Sequence, residues 1–350
     1  LLVALPPLTP DDTLHLVAAP AAPQLPHAVH RLTGGNPLGI ALLAEAAAQH
    51  PERAGSLGGL LTSDVQPVED GPAAPAYLLL LDRLVPADRL DELTVLAAAH
   101  DHDSACALAA ALLPDDFGPA DVRALQNRLA REGLPAVPGQ FVGDPFVRTL
   151  LLLRLHLRDA DHSGWRTAHE TLIAYYTEDR PDGQARFRLH HQLALGQAGP
   201  AVAYLRDGFP VLDTRSWLHT LRFIASAPYF HAHDADGRDF TGQGDRRAAV
   251  ALGRTDAQQR IPDGVDAVLH LRIRRLLHAV WLLTDPLVLP DPKVGDRLRF
   301  ELEQLSNLRP AGNALLWRAS RDWPAAALAG RPPAEDGEDD EGDDERSGVA

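Results

Sequence analysis

Residues 32–43 read L-T-G-G-N-P-L-G-I-A-L-L. Gly34 and Gly35 together end a helix, because glycine enters the left-handed conformation that closes a C-terminus without steric cost. Asn36 follows with a side-chain oxygen suited to a first-turn N–H. Pro37 then takes the first helical position, where its missing N–H leaves no bond unmade and its fixed φ already fits. Leu38, Ile40, Leu42 and Leu43 fill the body of the new helix. The stretch predicts helix, sharp turn, helix, and most of the chain repeats that grammar.

Upstream, Thr9 with Asp12 three residues on forms a capping-box start, and Pro10 stands where a first-turn proline is tolerated. A short helix near 26–32 then runs into the glycine pair. Downstream, 51–76 is rich in Gly, Pro, Ser and Asp without periodicity and reads as a linker. Helical spacing returns at 77–84, 89–100, 104–113 and 119–131. Residues 134–141 are short and punctuated by Pro and Gly, which predicts a small hairpin, and a further apolar helix starts at Pro145. Several helices followed by a hairpin fit a winged-helix order. From 161 to 330 nearly everything is helical, beginning with Trp165, His169, Leu172 and Tyr176 on one face. Paired helices of this length predict a tetratricopeptide-like array, although no strict 34-residue consensus is present. The fold expected is mainly α.

Composition narrows the function classes. The 350 residues include 45% hydrophobic and 23% charged side chains, with 33 Lys+Arg against 48 Asp+Glu. The formal charge of -15 is concentrated in a tail, 331–350, whose Gly, Asp and Glu run cannot bury apolar surface and reads as disordered. Acidity of this kind disfavours nucleic-acid binding, which needs basic patches to neutralise phosphates. One cysteine, Cys106, excludes an intrachain disulfide framework. No apolar run reaches the roughly 18 residues of a membrane span. A soluble, cytoplasmic setting without membrane contact is expected. Methionine is absent, even at position 1, which predicts a fragment or a processed product.

Motifs for chemistry are few. Nothing matches G-x-x-x-x-G-K-[ST] or G-x-S-x-G, so neither phosphoryl transfer nor nucleophilic hydrolysis is expected of this chain alone. His231, His233, Asp234, Asp236 and Asp239 cluster in one polar stretch. With Gly237 at the sixth loop position, however, Ala232 and Gln243 occupy the first and last calcium-ligand positions and cannot serve, and zinc would need ligands from elsewhere. His190 and His191 are adjacent on a helix and point about 100° apart, which favours packing over acid–base work. In 100–103, Asp103 is the expected cap of the next helix. Cys106 lies among alanines and reads as an inert core thiol.

The segment 32–43 resembles the G-x-P element in the helical lid of STAND ATPases, the signal-transducing NTPases that include NB-ARC proteins and large LuxR-type regulators. L-P-P-L-T-P-D-D at 5–12 resembles the exit from that family's last core strand and its first lid helix. F-V-G-D-P-F-V-R-T-L at 141–150 resembles the family's winged-helix segment, and H-H-Q-L-A-L-G at 190–196 resembles the first helical repeat after it. The resemblance covers about 5–209 and implies a helical lid (1–50), a linker (51–76), a winged helix with a small β-hairpin (77–160) and a helical sensor array (161–330).

That resemblance implies that Pro37 packs on the adenine of ATP or ADP, with Asn36 shaping the turn. The family's histidine for the β-phosphate is replaced here by Asp144, whose charge repels phosphate; Arg148 could substitute only by facing the site. The P-loop, the magnesium-holding acid and the sensor arginine belong upstream in the family, so magnesium and nucleotide hydrolysis belong to a parent protein and not to this chain. An upstream NTPase core and a protein or small-molecule stimulus on the array are the implied partners, with a nucleotide-dependent oligomer as the implied assembly. Two other classes stay open. One is a nucleotide-independent helical-repeat scaffold. The other is a winged-helix transcription regulator reading DNA through 119–131, where Arg123, Arg128 and Arg131 are diluted by Asp121 and Glu132.

Overall fold

A computed structural model describes residues 7–17, 23, 25–51, 53–54, 57–62, 64–65, 74–132, 134, 136–178, 184–228, 264–285, 287 and 292–308. The cluster at His231–Asp239, the helix expected at 313–321 and the acidic tail lie outside the described residues. Within them the protein is mainly α, as the periodicity predicts.

The N-terminal block holds α1 (Pro10–Leu16), α2 (Leu25–Thr33) and α3 (Pro37–Gln49). Thr9 and Asp12 form the capping box at α1: the Thr9 N–H donates to the Asp12 carboxylate at 2.9 Å, and the Asp12 N–H donates to the Thr9 hydroxyl at 3.2 Å. The supposed linker is partly structured. It carries α4 (Leu57–Thr62), whose Leu57, Leu60 and Leu61 are buried, and a two-residue antiparallel pairing of β1 (Asp64–Val65) with β2 (Ala74–Pro75). The two glycines between those leucines mask an i, i+3, i+4 apolar stripe, and tertiary packing outweighs their low helix propensity.

Next come α5 (Ala76–Leu84), a 3₁₀ turn at Ala87–Arg89, α6 (Leu90–Leu96), α7 (His102–Leu112), α8 (Pro119–Arg131) and α9 (Pro145–Leu157). The helix expected over 89–100 stops at Leu96. The cap of α7 is Asp101, not Asp103: Asp101 accepts the Ser104 N–H at 2.8 Å, and its own N–H donates to the Ser104 hydroxyl at 3.0 Å. Asp and Ser three apart make a capping box that begins two residues earlier than expected. The hairpin is reduced to one bridge, Val137 with Gln140, around Pro138 and Gly139, the glycine at φ +83°. Helix α9 crosses this unit and packs on α2, α5 and α6. Arg154 of α9 ties the last of these down through Thr94 (3.1 Å) and Asp91 (2.6 Å).

The remaining helices are α10 (Ser163–Glu178), α11 (Ala185–Ala194), α12 (Ala198–Gly208), α13 (Thr214–Ala225), α14 (Ala267–Thr284) and α15 (Pro292–Leu308). Each packs on its neighbour, and α10 also packs on α7. Trp165, Trp217 and Trp281 are fully buried, and each indole N–H finds a backbone carbonyl: Ala194, Leu205 and Ala227. Between α14 and α15, buried Glu301 receives Arg272 at 3.3 Å and Arg275 at 3.7 Å. The N-terminal block touches the end of α14. Arg31 of α2 donates to the carbonyls of Leu283 (2.9 Å) and Asp285 (2.7 Å) at the end of α14.

No helix among the described residues is long and apolar enough to cross a membrane.

Candidate functional site

The turn at 34–37 forms as its residues dictate. Gly34 and Gly35 have φ +59° and +84°, and Asn36 accepts the Gly39 N–H at 3.1 Å. Gly35 is obligatory for a second reason: a Cβ there would lie 2.4 Å from the Leu8 carbonyl oxygen. The contact is matched by a hydrogen bond from the Leu8 N–H to the Gly35 carbonyl, 2.9 Å. The segment before α1 therefore lies directly on the turn. Pro37 is exposed and Asn36 half-buried, so an apolar ring stands open at the first turn of α3.

Gly39 brings α3 against α9. A Cβ on it would meet the Phe146 ring at 2.9–3.0 Å and the Thr33 methyl at 3.0 Å. The starts of α3 and α9 are thus neighbours, which sequence separation alone does not reveal. Asp144 and Arg148 turn out to have local employment. Asp144 caps α9 by accepting the Val147 N–H at 2.9 Å. Arg148 directs its Nε to the Ala97 carbonyl at 3.0 Å. Desolvation pushes the Arg148 guanidinium down to about 10.

Arg148 lies beside a cluster of imidazoles. His100 follows α6, His169 lies on α10, and His190 and His191 lie on α11; all four are buried. Ring centroids are 5.0 Å apart for His100–His190, 4.8 Å for His100–His191 and 5.1 Å for His169–His191. His100 Nδ1 is 2.7 Å from the Gly139 carbonyl and His190 Nδ1 is 3.3 Å from that of Phe223. A carbonyl only accepts, so each Nδ1 carries the proton and each Nε2 keeps its lone pair. His169 and His191 share a proton between Nδ1 atoms 2.9 Å apart. Burial holds His190 down at about 3, and His100 and His191 well below the usual imidazole range, with neighbouring imidazoles and Arg148 adding to the effect. The pair at 190–191 is buried in the helix packing, and it converges with His100 from ninety residues away. Only the adjacent pair was visible in the sequence.

Cys106 is half-buried against the core rather than within it, 3.6 Å from His102 Nε2, its thiol pushed up by burial. On α8, Arg128 is held by Asp88 through two 2.9 Å bonds and by Glu132 at 3.1 Å. Among the described residues no group of three or more His, Cys, Asp or Glu side chains is arranged to hold a metal ion.

No family profile, no curated protein and no solved structure matches this chain.

Proposed function

We propose that this chain is the regulatory part of a STAND-type ATP-binding signalling protein: a helical lid, a winged helix over 77–160 and a helical sensor array. The observation that carries the reading is the bond from Leu8 to Gly35. It joins the two segments of the lid resemblance into one unit and leaves Pro37 exposed on it. A rigid, apolar proline ring without an N–H suits contact with a flat base. Asn36 keeps the turn by capping α3. Bound ATP or ADP would supply the energy difference between two arrangements of the lid.

Phosphate and magnesium would be held by a P-loop core supplied outside these 350 residues. Among the described residues, Asp144 is occupied as a helix cap and Arg148 reaches the Ala97 carbonyl, so neither is free for that role. The chain by itself is then not an enzyme. A protein or small-molecule stimulus would act on the array, which touches the lid through Arg31, and so bias the lid's position. A cytoplasmic setting and a nucleotide-dependent oligomer belong to the same reading.

The test has two parts. The coding sequence around this chain should encode a P-loop core, and its absence refutes the proposal. In the assembled protein, Pro37→Ala should weaken ADP binding about tenfold by equilibrium titration; unchanged affinity favours a nucleotide-independent scaffold. Duplex DNA binding through α8 is disfavoured by the ion pairs that occupy Arg128.

A further inference from the structure

His100, His190 and His191 sit where two halves of the molecule meet. His100 and Arg148 belong to the unit built from α5 to α9, while His169, His190 and His191 belong to the array that starts at α10. The aromatic rings of Phe187 and Phe223 close over them, at 4.6 and 5.7 Å from His100. The Nε2 atoms of His100, His190 and His191 find no hydrogen-bond partner. On His100 and His190, whose Nδ1 protons go to carbonyls, that leaves a buried lone pair, which calls for a ligand. A metal is disfavoured, because no such group is arranged to hold one and because Arg148 opposes a cation. An anion is disfavoured by the lone pairs themselves. The ligand that fits is the proton.

We propose that this histidine cluster is an acid-triggered switch: protonation of His100, His190 and His191 parts the α5–α9 unit from the α10–α13 array. The groups facing the imidazoles explain why charge there cannot be tolerated. Arg148 comes from α9, and His169 and Tyr176 come from α10. Arg186 comes from α11, its guanidinium 5.0 Å from the Phe187 ring and 5.3 Å from that of Phe223. From α13 comes the Phe223 carbonyl, with Arg222 next to it in sequence, and from the hairpin comes the Gly139 carbonyl. Asp101, one residue beyond His100, spends its carboxylate on the Ser104 N–H and hydroxyl. None of the groups that act most strongly on the three rings is a carboxylate. A second positive charge beside Arg148 in a dry site has nothing to pair with, and the nearest source of compensation is water, reached by separation.

The inference is independent of nucleotide. Its test is hydrogen–deuterium exchange by mass spectrometry between pH 7.5 and 5.0, corrected for intrinsic exchange. Protection of 97–105 and 185–194 should fall with a slope that approaches roughly a thousandfold per pH unit well below about 6.5, the limit for three protons taken up on opening. Protection of 267–284 should persist. The triple substitution H100N/H190N/H191N keeps a donor near each carbonyl and should flatten the response. Should that variant not fold, His190→Asn serves instead: with one titrating ring removed, the limiting slope should drop to roughly a hundredfold per pH unit. The proposal is overturned by protection that ignores pH, by simultaneous loss in every segment, or by an unchanged slope in H190N.

Discussion

Replacing Asp285 with Asn should stabilise the protein at neutral pH, and the size of the gain follows from the burial of that carboxyl. Asp285 follows α14 with 5% of its surface exposed, and burial raises it from 3.8 to about 6, against lowering by the Leu287 N–H and by Arg31. The Leu287 bond, 2.8 Å to Oδ1, can be kept by the Asn carbonyl. Between pH 3.8 and 6 the folded state holds a proton that the unfolded state has released. Stability from this group is therefore highest in acid and falls as pH rises through that window. Above pH 6 both states are ionised, and the folded one carries the full desolvation cost, about 3 kcal/mol for a gap of about two pH units. Asn has no charge to desolvate. Urea denaturation of D285N and wild type should differ by about 1 kcal/mol at pH 4.5 and about 3 kcal/mol at pH 7.5, in favour of the variant, with unchanged m-values. A variant less stable at pH 7.5, or a difference that does not grow with pH, would falsify this account. It would then be Arg31, already bonded to the carbonyls of Leu283 and of Asp285 itself, that makes the charge worthwhile.

The remaining predictions concern packing between blocks. Glu301→Ala removes the carboxylate shared by Arg272 and Arg275; because both arginines reach solvent, the loss should be about 2 kcal/mol, less than for a fully enclosed pair, read as a lower urea midpoint. Gly39→Ala forces a methyl against the Phe146 ring and should cost about 2 kcal/mol by overpacking. Adding Phe146→Leu should return part of that loss, which a double-mutant cycle measures as a non-zero coupling.

Local chemistry made much of the fold legible. Thr9 with Asp12, Gly34 with Gly35, and Asn36 before Pro37 each announce a helix end through bonds confined to four or five residues. The run from Pro119 to Arg131 begins and ends where its proline and its lost periodicity place it. Asp101 rather than Asp103 caps α7 because Ser104 can complete the box only with the former. Helix α4 was hidden because Gly58 and Gly59 lower its intrinsic propensity, and only burial of Leu57, Leu60 and Leu61 restores it.

What the sequence by itself determined is most of the helices, the caps at Thr9 and Asn36 and the glycine–proline turn, all decided by neighbours along the chain. Tertiary structure alone decided three things. It set Gly39 against Phe146, it latched Arg31 onto the carbonyls that end α14, and it gathered His100 with His190, His191 and Arg148. A sequence records which side chains can titrate or donate. It does not record which of them will share a dry space, and desolvation, which gives this cluster its character, exists only once distant helices have closed around it.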